Sequence, residues 1–294
     1  MPIRLRAVPA ALAGVLLLAA CGSEQASPQS TTGPATCGPS TGPSPAPDPS
    51  PEDGVKVVAL DTCGSQASAE IEVTNRSTQA AAFTVTLGFV SELGGDTVEH
   101  VVASVGPGRT VWSAVDLGAW SQVSDLKVLK VRSVPAAEAP SASGPCPASG
   151  VHVYADQGDA AMGLRVVGLH LVNCGSTPYE LNGYPEIELL DEAHDSVKGV
   201  RILKGTEQIS TGLGGEGGPR PVVLEPGEGA AATLAWRNTT QFGEAVNVPY
   251  VRLVPKSGAR PVIVTPELDL GTTGRLGVGA WRKDDSGVQS SGRP

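Results

Sequence analysis

The chain reads as an all-β protein, two β-sandwich domains in tandem behind a signal peptide and a disordered Pro-rich stalk. Three observations predict this. Short stretches rich in Val, Thr and Ala alternate with polar residues at period two, the pattern of half-buried strands. With 37 Gly and 25 Pro in 294 residues, turn signals recur too often for long helices. Aromatic residues are only 4% of the chain and methionines number two, so β-branched side chains rather than large rings must fill the cores.

At the N-terminus, Arg4 and Arg6 precede an apolar run from Val8 to Ala20 that closes as Leu18-Ala19-Ala20-Cys21. A basic n-region, a short apolar h-region and small residues before the break describe a cleaved secretory signal over residues 1–20. The run is too short to span a bilayer as a helix. Its ending resembles the lipobox of bacterial lipoproteins. That resemblance implies cleavage before Cys21, a diacylglycerol on its sulfur and a place on the outer face of the cytoplasmic membrane.

The formal charge of −9 becomes −11 once Arg4 and Arg6 leave with the leader. Such a balance argues against nucleic acid as a partner and against an electrostatic grip on anionic lipid. The Cys21 lipid is then the expected membrane partner, and two acyl chains hold a protein stably where one does not. Residues 21–53 follow as a Ser/Thr/Pro stalk ending in Pro43-Ser44-Pro45-Ala46-Pro47-Asp48-Pro49-Ser50-Pro51. In a polyproline conformation at ~3.1 Å per residue it would reach roughly 90 Å.

Residues 54–134 form the first predicted sandwich. Strands are expected near 55–58, 69–74, 83–87, 98–102, 110–115 and 126–131, with turns at Asn75-Arg76-Ser77, Gly94-Gly95-Asp96 and Gly106-Pro107-Gly108. Residues 135–145 read as a linker. The second sandwich is expected over 146–283, with strands near 151–154, 164–172, 186–190, 222–224, 231–236, 251–254 and 262–264, a flexible Gly-rich loop over Gly212–Gly218, and a disordered tail at 284–294. Both halves carry a strand that ends in Asn (Val73-Thr74-Asn75, Leu171-Val172-Asn173) and a later Pro-Gly turn before another strand (Pro107-Gly108, Pro226-Gly227).

Setting Cys21 aside leaves Cys37, Cys63, Cys146 and Cys174, an even number that reads as two disulfides in an exported protein. Four cysteines allow three connectivities. Similar local separations favour Cys37–Cys63 and Cys146–Cys174, and neither pair has the CxxC spacing of a zinc or thioredoxin-like site.

The second half also carries a resemblance. Cys146-Pro147, Ala161-Met162-Gly163-Leu164-Arg165, Leu171-Val172-Asn173-Cys174-Gly175, Leu181-Asn182-Gly183-Tyr184-Pro185, Leu224-Glu225-Pro226-Gly227 and Trp236-Arg237-Asn238 follow one another as in an actinobacterial secreted β-sandwich domain of unknown function. The chain has Tyr179 where the commoner pattern has a cysteine, so no connectivity is carried over. The first half resembles, more loosely, immunoglobulin-like domains of bacterial envelope proteins, through Val73-Thr74-Asn75 and Val105-Gly106-Pro107-Gly108. The resemblance implies immunoglobulin-like sandwiches and assigns no activity.

No catalytic set emerges. Gly38-Pro39-Ser40-Thr41-Gly42 matches a nucleophile pattern but lies in the stalk, where no strand-to-helix elbow can form. Gly212–Gly218 lacks the Lys-Ser or Lys-Thr of a phosphate loop. A hairpin closing near Ala160-Ala161 would make His152 and His170 cross-strand neighbours, an incomplete metal shell, so no metal and no cofactor are expected. Trp112, Trp236 and Trp281 are expected in the cores. Trp120, in a predicted loop, and Tyr184, in a turn, are the candidate binding aromatics. The expected function is a non-enzymatic interaction or structural module of the cell envelope. The alternative is a ligand-binding module for wall glycan or a small solute.

Overall fold

The computed structural model describes residues 54–62, 66–119 and 123–284. Cys21, Cys37, Cys63 and Trp120 lie outside them, as do the expected leader, the stalk and all but the first residue of the tail.

The first sandwich has six strands: β1 (Val55–Asp61), β2 (Ala67–Thr74), β3 (Ala81–Ser91), β4 (Gly94–Val105), β5 (Thr110–Gly118) and β6 (Ser124–Pro135). They make two antiparallel sheets, β1-β2-β5 and β4-β3-β6. Inward positions of both sheets, among them Ile71, Val73, Phe83, Val85, Leu87 and Val115, form one core. The β3–β4 hairpin turns at Glu92-Leu93, because Ser91 already pairs with Gly94. Gly94-Gly95-Asp96, expected as the turn, therefore opens β4.

The second sandwich begins with β7 (Val151–Ala155), β8 (Asp159–Ala161), β9 (Leu164–Asn173), β10 (Tyr179–Leu181), β11 (Glu186–Leu190), β12 (Arg201–Lys204) and β13 (Val222–Leu224). It continues with β14 (Gly229–Arg237), β15 (Val246–Val248), β16 (Tyr250–Val254), β17 (Val262–Val264), β18 (Leu268–Gly271), β19 (Arg275–Val278) and β20 (Arg282–Asp284). Its largest sheet runs β12-β19-β14-β9-β7, and a second runs β11-β16-β17. The β12–β19 pair is parallel. Leu169, Leu171, Leu234, Leu253, Leu276, Trp236 and Trp281 fill the core, so the expectation holds for these two tryptophans.

One asparagine does the same work in each sandwich. Asn75 Nδ2 donates to the Gln79 carbonyl (2.8 Å) and the Val105 carbonyl (2.7 Å), while its Oδ1 accepts from the Ser77 N–H (2.9 Å). Asn173 Nδ2 donates to the Thr177 (2.9 Å) and Leu224 (2.8 Å) carbonyls, and its Oδ1 accepts from the Gly175 N–H (3.0 Å). The backbones match too: Gly108 N donates to Asn75 O and Gly227 N to Asn173 O. Each buried amide thus ties a strand end to the carbonyl preceding the Pro-Gly turn. This satisfies backbone groups that no ladder reaches.

The Gly-rich loop is pinned rather than loose. Arg282 Nη2 donates to the carbonyls of Glu216, Gly217 and Gly218, Glu207 accepts from Gly217 N–H, and Glu216 accepts from Leu213 N–H. Gly215 is buried where a Cβ would stand 2.5 Å from Thr206 Cγ2, so glycine is required for this close approach.

Candidate functional site

The first part of the segment expected as a linker, residues 135–141, is built into a junction between the sandwiches, while 142–145 are exposed. Ala136–Glu138 forms a 3-10 turn, Ala136 N donates to Ala80 O, and Ser141 N donates to Val153 O. Glu138 receives Arg252 through two bonds of 2.8 and 3.1 Å. Those bonds hold the Arg252 proton more firmly than in water. Ala82 and Val134 of the first sandwich share a small core with Leu190, Tyr250 and Ile263 of the second, and Ala139 packs against it. Ala and Pro in the segment supply packing surface, which outweighs the flexibility their composition suggests.

Beside this core, Arg132 of β6 reaches Glu267 through Nε–Oε1 (2.6 Å) and Nη2–Oε2 (3.1 Å), and Glu192 through Nη1 (3.1 Å). Lys130 also reaches Glu267, at 3.3 Å. Burial opposes the Arg132 charge, yet the hydrogen bond from Glu267 and the charges of Glu267 and Glu192 prevail and raise its pKa. Glu267 sits at φ +53, a left-handed backbone that costs energy for a residue with a Cβ. The junction holds it there with two cations. Tyr250 lies 5.8 Å beneath the Arg132 guanidinium, stands perpendicular to the His194 ring with centroids 4.3 Å apart and accepts the Ser133 N–H at 3.4 Å. Burial pushes its phenol pKa up.

Two clefts open beside this bridge, one lined by Glu267 and the other by Arg132, Lys130 and Glu192. The Glu267 side is a cleft of about 500 Å³. Thr84, Thr86, Thr97, Glu99 and Val101 of the first sandwich face Tyr154, Asp156, Gln157 and Thr265 of the second across it. The Arg132 side is a groove of about 490 Å³ with Arg76, Lys130, Glu192 and Tyr250 in its lining. Both volumes lie in the range of small-molecule sites. The first sets hydroxyls and carboxylates beside Val101, Pro140, Val264 and Pro266, so it can exchange hydrogen bonds with a polyhydroxylated ligand and also offer it apolar surface.

The predicted site residues fare differently. Cys146 and Cys174 are joined, as expected. Tyr184 is half-buried with Lys204 Nζ 5.8 Å from its ring centre, a cation over an aromatic face rather than an open platform. Trp112, expected in the core, is 60% exposed. Val115 and Leu117 face the core from β5, so period-two alternation turns Trp112 outward, opposite Glu72. That alternation was the signal that could have placed it.

The histidine pair is also corrected. The hairpin turns on Met162-Gly163, with φ of +48 and +77, the two left-handed residues of a type I′ turn. The turn sets Ala161 opposite Leu164 and Asp159 opposite Val166, and a one-residue slip over 156–158 then places His152 opposite Val172 and His170 opposite Tyr154. His152 is buried and bonds Ser141 Oγ through Nδ1 (2.9 Å). His170 stacks on Tyr154 and meets Asp156 Oδ2 through Nε2 (3.0 Å). Among the described residues no group of three or more His, Cys, Asp or Glu side chains converges in a way that could hold a metal.

Fold and junction together define a class: an all-β chain of two sandwiches with polar clefts at their seam. Residues 146–282, within the second sandwich, match the family described as Domain of unknown function (DUF4232). A comparison with curated proteins finds no match to the chain.

Proposed function

We propose that this chain is a membrane-anchored extracytoplasmic lipoprotein that acts as a non-enzymatic interaction module of the cell envelope. The lipobox-like ending at Cys21 supports the anchor. The observation that carries the interaction reading is the junction itself, where two sandwiches share a core and an ion-paired bridge flanked by open polar clefts. A second reading, binding of wall glycan or a small solute, is favoured by the threonine and carboxylate lining of the cleft beside Glu267.

For the anchor, Cys21→Ser is expected to release the protein from salt-washed membranes. Retention in the washed fraction would refute a lipid anchor at this cysteine. For the interaction, a photo-crosslinking residue at Val101, which is 58% exposed and lines the cleft, is expected to give a discrete protein or glycan adduct in intact cells. A second probe at Trp112 serves as the comparison. Absence of any adduct at either position would sink the module reading.

A further inference from the structure

One end of the second sandwich combines features that its overall acidity hides. Met162 is 99% exposed and Phe242 is 100% exposed. Their loops are neighbours, since Asn238 N donates to Gly163 O at 2.9 Å. Met162 stands at φ +48, a turn position that Asn, Asp or Gly occupies at less cost. A strained apolar residue in full contact with water is favoured neither by local conformation nor by burial, which points to a function.

The base beneath these side chains is braced. Asp269 accepts from Trp236 Nε1 (2.8 Å) and Asn238 Nδ2 (2.8 Å) and pairs with Arg165 at 3.3 Å. Gln241 N donates to Thr272 Oγ1 (2.9 Å), and Thr272 N to Thr239 O (3.2 Å). The tip is therefore largely pre-formed, and little order has to be gained on contact.

Arginines line the same end. Arg201 pairs in register with Arg275. The Trp236↔Leu276 register sets Arg237 beside Arg275 one rung further on, and Arg237 pairs with Leu164 next to the Met162 turn. Three like charges on one cross-strand row repel one another. Among the described residues, Arg201 and Arg237 carry no carboxylate partner, while Arg275 between them is held inward, its Nη2 donating to Gln208 O at 3.3 Å and to Gln208 Oε1 at 3.4 Å. In a chain of net charge −9, such a row is a local reversal of sign.

We propose that this end docks on an anionic lipid bilayer, with Met162 and Phe242 entering the interface and the exposed Arg201 and Arg237 meeting headgroup phosphates. Exposed apolar side chains beside a row of arginines suit the headgroup boundary, where apolar burial and attraction to anionic lipid add, and the arginines outnumber the one exposed acid of the Phe242 loop, Glu244. The inference rests on the lipid-anchored reading, in which the Cys21 tether keeps a bilayer within reach of the stalk and raises its effective concentration. The negative charge of the whole chain does not prevent this, because attraction to a surface falls off within a Debye length and is set by the charges nearest it.

The test is co-sedimentation of the mature chain, residues 21–294, carrying Cys21→Ser so that no acyl chain contributes. Vesicles of phosphatidylcholine alone are compared with an equal mixture of phosphatidylcholine and phosphatidylglycerol. Salt-sensitive binding to the mixed vesicles is expected. Arg201→Ser with Arg237→Ser should weaken it on the order of thirtyfold. Met162→Asn with Phe242→Ser should weaken it at least on the order of tenfold, and Asn suits the turn, so the fold is kept. Equal binding to both vesicle types, no binding to either, or variants that bind like the parent would overturn the proposal. If lipidated protein stays in cell membranes and Cys21→Ser protein is released yet ignores the mixed vesicles, the anchor stands and tip docking fails. If Cys21→Ser protein stays on cell membranes but ignores lipid vesicles, docking on lipid fails in favour of an acidic protein partner.

Discussion

Asn173→Ala is expected to destabilise the protein by about 3 kcal/mol, since leaving a buried polar group unsatisfied costs ~1–3 kcal/mol and more than one is stranded. The substitution removes both Nδ2 donors from the Thr177 and Leu224 carbonyls and the acceptor from Gly175 N–H. Asn173 is 1% exposed, so water cannot replace these bonds without opening the strand end. In thermal unfolding the midpoint should fall by on the order of 10 °C. Asn75→Ala should behave alike, because the same bonds to Gln79, Val105 and Ser77 are lost. Asn173→Asp should be worse than Ala, as it aims a carboxylate at two carbonyl oxygens. A midpoint change within error for either alanine variant would refute the clamp.

Removal of the Cys146–Cys174 bond, as Cys146→Ser with Cys174→Ser, is expected to cost about 3–4 kcal/mol from the entropy of the closed loop. The bond spans 28 positions and closes the segment containing β7, β8 and β9. Cys174 N and Gly175 N both donate to Gly150 O, so native hydrogen bonds remain to hold the loop ends. The loss should therefore fall chiefly on the unfolded state. Denaturant unfolding with and without reductant measures it, and an unchanged midpoint would contradict the estimate. Because Asn173 adjoins Cys174, the two substitutions should not be additive, which a double-mutant cycle can read.

The long strands were legible wherever alternation was unbroken. Leu164–Asn173, Gly229–Arg237 and Glu186–Leu190 appear close to where their patterns put them. Among the three-residue strands, the wholly apolar Val222–Leu224 and Val262–Val264 also appear where expected, and those interrupted by polar residues do not. Tyr179–Leu181, Val246–Val248 and Arg282–Asp284 span three residues each with polar residues among them, so they show neither a period nor an apolar run. Arg201–Lys204 and Arg275–Val278 lie far apart in the chain and pair in parallel, so no local turn announces them.

The sequence by itself determined the all-β class, the lipobox-like ending at Cys21 as an expectation, the Cys146–Cys174 pairing by proximity, and the two asparagines that close a strand before a Pro-Gly turn. Each depends on composition or on neighbours in the chain. The tertiary structure alone decided that residues 135–141 pack into a junction, that Arg132 of the first sandwich meets Glu267 of the second, and that a type I′ turn with a one-residue slip behind it sets His152 and His170 two rungs out of register. It also decided that arginines from three strands share one row beside Met162 and Phe242. These depend on register and on contacts between residues tens of positions apart. Charge and hydropathy sum over the chain and lose where each residue lies, and only the folded sheet restores that position.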